Sequence, residues 1–202
     1  GTREENIPHM FFATTLISAN PPEAFLFRNY NLPDLPERQS RYPGTCIAEY
    51  HKAVRATTAA PGYFDEFVWE YDKESRHVDG ALLMNNPSAL AFHEALCIYG
   101  KDVPISCVLN LGTGRDVPKP NTSTGIASIL GTLVRSATSS EKISNILDDT
   151  LSYAGIPHFR FNPEDKAFDC GLMELREEYL NGFNRAVDEY IEKNYDELCM
   201  VG

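Results

Sequence analysis

The sequence predicts an α/β protein, and three stretches carry that prediction. Arg76 to Asp79 reads as a strand that delivers an aspartate to a turn at Gly80, Ser88 to Tyr99 reads as a helix, and Val103 to Leu111 reads as a strand emptying into Gly112-Thr113-Gly114. The helix rests on Leu90, Ala91, Ala95 and Leu96 falling on one side, with Gly100 as its C-terminal stop. The second strand rests on nearly unbroken apolar sequence, the pattern of a strand covered on both faces. Strand, helix and strand in that order predict a parallel βαβ unit.

The remaining elements follow from local pattern. Met10 to Ile17 is rich in aromatic and β-branched residues and closes on Ser18-Ala19-Asn20-Pro21-Pro22, which predicts a buried strand and a turn, with Ala24 to Tyr30 as its neighbour. Asn31 to Gly44 carries Pro33, Pro36 and Pro43 and reads as a solvated loop. Thr45 is placed to cap a helix through Ile47, Tyr50, His51 and Val54 that ends before Pro61. Phe67 to Tyr71 predicts another strand, with Asp72 to Ser75 as a hairpin turn into the strand that ends at Asp79. Asn86 is the expected N-cap of the next helix and Pro87 its first residue, where a missing N–H has no partner to lose. Beyond Arg115 the pattern gives a polar loop to Thr124, an apolar helical segment over 126–134, and a Thr138-x-x-Glu141 capping box opening a helix through Ile143, Ile146, Leu147 and Leu151. A last strand at His158 to Phe161 and a long amphipathic helix from Glu174 to Leu198 complete the chain.

Composition excludes several function classes. A chain of 202 residues that is 43% hydrophobic and 23% charged is long enough for one well-buried core. The net charge of −11, with no cluster of Lys and Arg, argues against a nucleic-acid partner. No stretch approaches the ~20 apolar residues of a membrane span. Cys46, Cys97, Cys107, Cys170 and Cys199 are widely spaced and lack any C-x-x-C pair, which fits reduced intracellular thiols, and neither they nor the histidines show metal-ligand spacing. Gly112-Thr113-Gly114 lacks the third glycine of a dinucleotide fingerprint, having Val117 there and Pro118 next. Gly44-Thr45-Cys46-Ile47-Ala48 has the spacing of a nucleophile elbow, but loop-like residues precede it where an elbow needs a buried strand, so a helix start is the expected reading. His77 and Asp79, two apart on a strand, point the same way and are placed to form a His–Asp pair.

Asp79-Gly80-Ala81 also stands between two further motifs. Upstream is Arg55-Ala56-Thr57-Thr58-Ala59-Ala60-Pro61-Gly62-Tyr63-Phe64, and downstream is Asn85-Asn86-Pro87. In this order and spacing they resemble the C-terminal half of a patatin-like phospholipase domain, with its R-A-[ST]-[ST]-A-A-P-x-Y-F block, D-G-[GA] motif and N-N-P helix start. Val108-Leu109-Asn110-Leu111-Gly112-Thr113-Gly114 is similar to the S-L-G-T-G turn of that family, with Asn110 in the serine's place. Phe25-Leu26-Phe27-Arg28-Asn29-Tyr30 and Phe159-Arg160-Phe161-Asn162-Pro163 resemble the calcium-independent phospholipase A2 branch, the gamma type above all.

The resemblance implies a three-layer α/β/α patatin-like sandwich, here partial because the N-terminal half with the nucleophile elbow is not in the sequence. Residues 1–115 are the expected C-terminal part of the phospholipase core, and 116–202 a mainly helical extension. The implied activity is cofactor-free, metal-free hydrolysis of fatty-acyl esters of phospholipids by a Ser–Asp dyad. Asp79 is then the general base, Gly80 and Ala81 complete its motif, and Asn85, Asn86 and Pro87 support it. Phospholipid is the implied substrate, with peripheral membrane contact and an intracellular location. The chain contains no G-x-S-x-G and begins without Met, so it is expected to be part of a longer enzyme and inactive alone. The rival expectation is a non-catalytic lipid-binding or interaction module that has lost its nucleophile.

Overall fold

The computed structural model describes residues 7–117 and 139–201, which mix strands with helices. Of these, 7–104 with 139–143 form one compact unit, and 105–117 with 144–201 a second. The expected helix over 126–134 and Thr138 of the expected capping box lie outside the described residues.

The first unit is built on a mixed five-stranded sheet of order β3-β2-β1-β5-β4. Its strands are β1 (Phe11–Leu16), β2 (Glu23–Arg28), β3 (Gly44–Thr45), β4 (Phe67–Trp69) and β5 (Asp72–Asp79). Central β1 runs antiparallel to β2 and to β5, with Thr14 opposite both Phe25 and Asp79, whereas β3 is parallel to β2. Side chains alternate along a strand. This register therefore places Phe12, Thr14, Leu16, Phe25, Phe27, His77 and Asp79 on one face, and Ala13, Thr15, Leu26 and Arg28 on the other.

Helix α1 (Tyr50–Thr57) lays Ala53 and Ala56 against Phe25, Phe27 and Trp69 on the first face. Alanine on the helix and aromatics on the sheet let the backbones approach closely. Each buried aromatic contributes about 1.5–3 kcal/mol. A short helix α2 (Ala81–Met84) and the longer α3 (Ser88–Tyr99) follow the sheet, and Gly100, at φ +88°, ends α3 as expected. Arg28, pointing from the second face, meets Glu94 of α3: Nε donates to Oε2 at 2.7 Å and Nη2 to Oε1 at 3.0 Å. Tyr30 donates its hydroxyl to Oε2 at 2.7 Å, and Ser40 its own to Oε1. Burial opposes charge on Glu94, but the bonds from Arg28, Ser40 and Tyr30 outweigh it and hold the carboxyl below the usual range. Burial, with the bond to Glu94, raises the Tyr30 hydroxyl well above its ordinary value.

In the second unit β6 (Val108–Leu111) pairs in parallel with β7 (His158–Phe161). Between them in the chain lies α4 (Ser140–Tyr153), whose Ser144, Leu147 and Leu151 are buried. Helix α5 (Glu177–Lys193) stacks Phe183 on Phe168 of a 3₁₀ turn at a centroid separation of 5.6 Å, and α6 (Tyr195–Cys199) follows. Gly114 has φ +88°, and a Cβ there would lie 2.4 Å from the Phe168 ring, so this position excludes side chains on both counts.

Several local expectations are corrected. Thr45 does not cap α1: it sits in β3, opposite Phe27, and the helix begins at Tyr50 after Glu49. The hairpin turn falls at Glu70 and Tyr71, because Asp72 already pairs with Trp69 and the ladder shifts register between Val68 and Trp69. The expected βαβ unit does not run from β5 to β6, since β5 has only antiparallel neighbours; the parallel strand–helix–strand arrangement is that of β6, α4 and β7. Nor is β6 covered on both faces: it is shorter than expected, with Leu109 and Leu111 exposed and Asn110 buried. The long C-terminal helix breaks at Asn194, where the side chain bonds back to the Tyr190 carbonyl at 2.7 Å.

Candidate active site

β5 ends on Asp79 with its backbone held from both sides. Its N–H donates to the Ala59 carbonyl at 3.0 Å, and its carbonyl accepts from Thr15 Oγ1 at 3.1 Å. The first bond explains why the Arg55–Phe64 block and the Asp-Gly-Ala motif belong together: the residues just past α1 dock on the strand end that carries the aspartate. Gly62, at φ +87°, makes the turn after Ala60-Pro61, and Arg55 steadies it by donating to the Asp65 carbonyl at 2.8 Å.

The Asp79 side chain is half-buried. Oδ1 accepts the Ala81 N–H at 2.8 Å, an Asx-type turn that orients the carboxylate. Oδ2 accepts no hydrogen bond from the described residues. Gly80 is required for space rather than for an unusual turn. Its φ is an ordinary −63°, but a Cβ would lie 2.2 Å from the Ala13 carbonyl oxygen. Asp79, Gly80, Ala81, Asn85 and Pro87 all line one open groove of about 350 Å³, to which Phe12 and Met84 add apolar surface.

Asn86 turns inward instead. It is buried, accepts the Ser88 N–H at 3.1 Å and donates to the Ser140 carbonyl at 2.8 Å. The helix it was expected to cap starts one residue later, with Pro87 as the flanking residue and Ser88 as the first helical one. Its side chain still satisfies an orphan N–H of the first turn, so the capping chemistry is present at a shifted position. Asn85 donates to Ser140 Oγ at 3.0 Å.

The His77–Asp79 pair does not form. His77 is fully buried and both ring nitrogens are committed elsewhere, Nδ1 to Thr14 Oγ1 at 3.0 Å and Nε2 to Ser75 Oγ at 2.8 Å. The other two motifs weighed in the sequence also resolve. Cys46 is exposed beyond β3, its Sγ 2.8 Å from Asn31 Oδ1, and forms neither an elbow nor a helix start. Asn110 is buried on β6 and accepts from Arg160 Nη1 at 2.7 Å. Thr57, present in the sequence motif without an assigned role, lines the groove and donates to the Ala13 carbonyl, and the Thr14-Thr15 pair that ties β5 to β1 was not singled out. Adjacent hydroxyls inside an apolar strand were the available signal, because such groups must find partners when buried.

Among the described residues no group of three or more His, Cys, Asp or Glu is placed to hold a metal ion, and no helix is long and apolar enough to cross a membrane.

No family model matches the chain. Individual proteins do: calcium-independent phospholipase A2-gamma of Oryctolagus cuniculus is 39% identical over 203 residues, spanning 98% of the chain and 25% of the relative. The chain is a homologue of calcium-independent phospholipases A2. The human calcium-independent phospholipase A2-gamma is 38% identical over the same span. Phospholipase A I of Arabidopsis thaliana is 31% identical over 94% of the chain and 16% of its own length. The chain therefore spans about a quarter or less of the length of these relatives.

Proposed function

We propose that this chain is the aspartate-bearing part of a patatin-like, calcium-independent phospholipase, with Asp79 as the general base of a Ser–Asp dyad whose serine lies on another segment of the complete protein. The observation that carries the reading is the Asp79 carboxylate in an open groove, with one oxygen tethered to the Ala81 N–H and the other accepting no hydrogen bond from the described residues. A base needs that geometry: a fixed position and a free lone pair within reach of the proton it takes. The serine gives its proton to Asp79 and attacks the acyl carbonyl, the ester C–O bond breaks and the lysophospholipid leaves as an alcohol with that proton. Water, deprotonated by Asp79, then hydrolyses the acyl-enzyme to free the fatty acid and restore the serine. The similarity to phospholipases A2 across nearly the whole chain supports phospholipid as the substrate. The α/β/α sandwich is supported by α1 packing on the Phe25 and Phe27 face while Arg28 reaches Glu94 of α3 from the other. Residues 1–115 would then belong to the phospholipase core and 116–202 to its extension. Peripheral membrane contact and an intracellular location belong to the same proposal, the first because the substrate would be a membrane lipid.

The test is phospholipid hydrolysis by the full-length protein in EDTA, compared with Asp79→Asn. The amide oxygen of Asn still accepts the Ala81 N–H, so the fold is retained while the base is lost. Turnover is expected to fall by roughly 10²–10⁴-fold. Unchanged turnover in a folded Asp79→Asn protein removes Asp79 from the chemistry.

A further inference from the structure

A buried imidazole links β5 through β1 to β2. The His77 ring is packed edge-on against Phe25 at a centroid distance of 4.9 Å, with Phe27 at 5.2 Å and Phe67 at 6.3 Å. Thr14 Oγ1, 3.0 Å from Nδ1, also donates to the Phe25 carbonyl at 3.2 Å. A threonine hydroxyl has one proton to give. A Thr14 proton given to the Phe25 carbonyl leaves the hydroxyl to meet the imidazole only as an acceptor; that arrangement puts hydrogen on Nδ1 and leaves Nε2 to accept from Ser75 Oγ at 2.8 Å.

We propose that Ser75, His77 and Thr14 form a one-way hydrogen-bond chain, with His77 in its Nδ1–H tautomer, that fixes the register of β5 on β1 and makes His77 and Thr14 positioning residues for Asp79. This rests on the reading of Asp79 as the base. The register supplies the reason: Asp79 lies directly opposite Thr14, and His77 opposite Leu16, so the His77–Thr14 bond is a diagonal clasp across the pair that holds the aspartate. Slipping β5 by one residue would carry both His77 and Asp79 to the opposite face. Backbone pairing alone does not specify which residue faces Thr14; this bond does so together with the Thr15 hydroxyl and the Ala59 carbonyl that hold the Asp79 backbone. The ring keeps its direction because it stays neutral: burial pushes His77 down to about 4, opposed by the Asp72 carboxylate of its own strand. From the other packed elements it faces Thr14, Phe25, Phe27 and Phe67, none of which carries charge.

The full-length protein, ring-labelled with ¹⁵N histidine and with the His77 signals assigned by their loss in His77→Gln, is expected to show hydrogen on Nδ1 and none on Nε2, unchanged from pH 8 to pH 5. In phospholipid hydrolysis Thr14→Val is expected to lower kcat by roughly 10- to 100-fold with KM unchanged, as a displaced base does, and Thr14→Ser to restore it. His77→Asn, whose amide nitrogen sits where Nδ1 was, is expected to retain more kcat than His77→Gln, whose amide sits nearer Nε2. A hydrogen on Nε2 overturns the chain's direction. Wild-type kcat in Thr14→Val, alongside an inactive Asp79→Asn, overturns the positioning role, whereas an active Asp79→Asn overturns only the reading of the base.

Discussion

Removing Glu94, the α3 carboxylate that meets Arg28 from the second face of the sheet, is expected to be strongly destabilising. Side-chain exposure is 6% for Arg28 and 2% for Glu94, so both charges of this pair are withdrawn from water. Glu94→Leu removes the acceptor for both Arg28 Nε and Nη2, leaving the guanidinium, among the described residues, the Tyr42 carbonyl at 3.1 Å, and also strands the Tyr30 and Ser40 hydroxyls. An uncompensated buried charge costs about 3–5 kcal/mol, a large share of the ~5–15 kcal/mol that holds a domain together. At about 1–3 kcal/mol per molar urea, the unfolding midpoint should fall by more than about 1 M. The double variant Arg28→Met with Glu94→Leu removes both charges and should recover most of the loss, giving a large coupling in a double-mutant cycle. A Glu94→Leu cost below about 1 kcal/mol, the worth of an exposed pair, would refute the claim that this pair is desolvated and anchors α3 to the sheet.

Gly80→Ala should both destabilise the protein, by about 1–3 kcal/mol for an overpacked site, and suppress phospholipid turnover, because the new Cβ lies 2.2 Å from backbone that cannot yield without parting β5 from β1; an unchanged melting curve and unchanged rate would remove the close-approach argument. Acid should weaken the fold through His77. The folded ring titrates near 4, against an ordinary value of 6.5, so the unfolded chain binds the proton first as pH falls. This contribution is complete above pH 6.5 and is lost progressively down to about pH 4, with an upper limit of about 3–4 kcal/mol at about 1.4 kcal/mol per pH unit. Urea titrations of wild type and His77→Asn at pH 7 and pH 5 check it, since the variant should lose part of the pH dependence.

Much of the candidate site was legible in the sequence because it is made of contiguous motifs. Asp79, Gly80, Ala81, Asn85 and Pro87 are close in the chain and line one groove. The strand from Met10, the hairpin partner after Pro22 and the helix from Ser88 were likewise announced by local pattern, though Asn86 moved from helix boundary to buried tether. What local pattern misjudged was pairing. Thr45 has every local mark of a helix cap, yet β2 takes it as an edge strand. Val103 to Leu111 reads as a strand with two covered faces, yet the strand starts only at Val108, its partner is β7, fifty residues on, and its buried residue is Asn110.

The sequence by itself carried the α/β class, the candidate aspartate and the family resemblance, since each of these is written in residue types at short spacing. Only the tertiary structure decided why Gly80 must be glycine, where His77 spends its two nitrogens, and that Arg28 and Glu94 meet across the sheet. Each of those depends on a partner far away in the chain: Ala13 from Gly80, Thr14 from His77, Arg28 from Glu94. Desolvation and steric exclusion act between neighbours in space, and no periodicity along the chain records which distant residue a buried group will find.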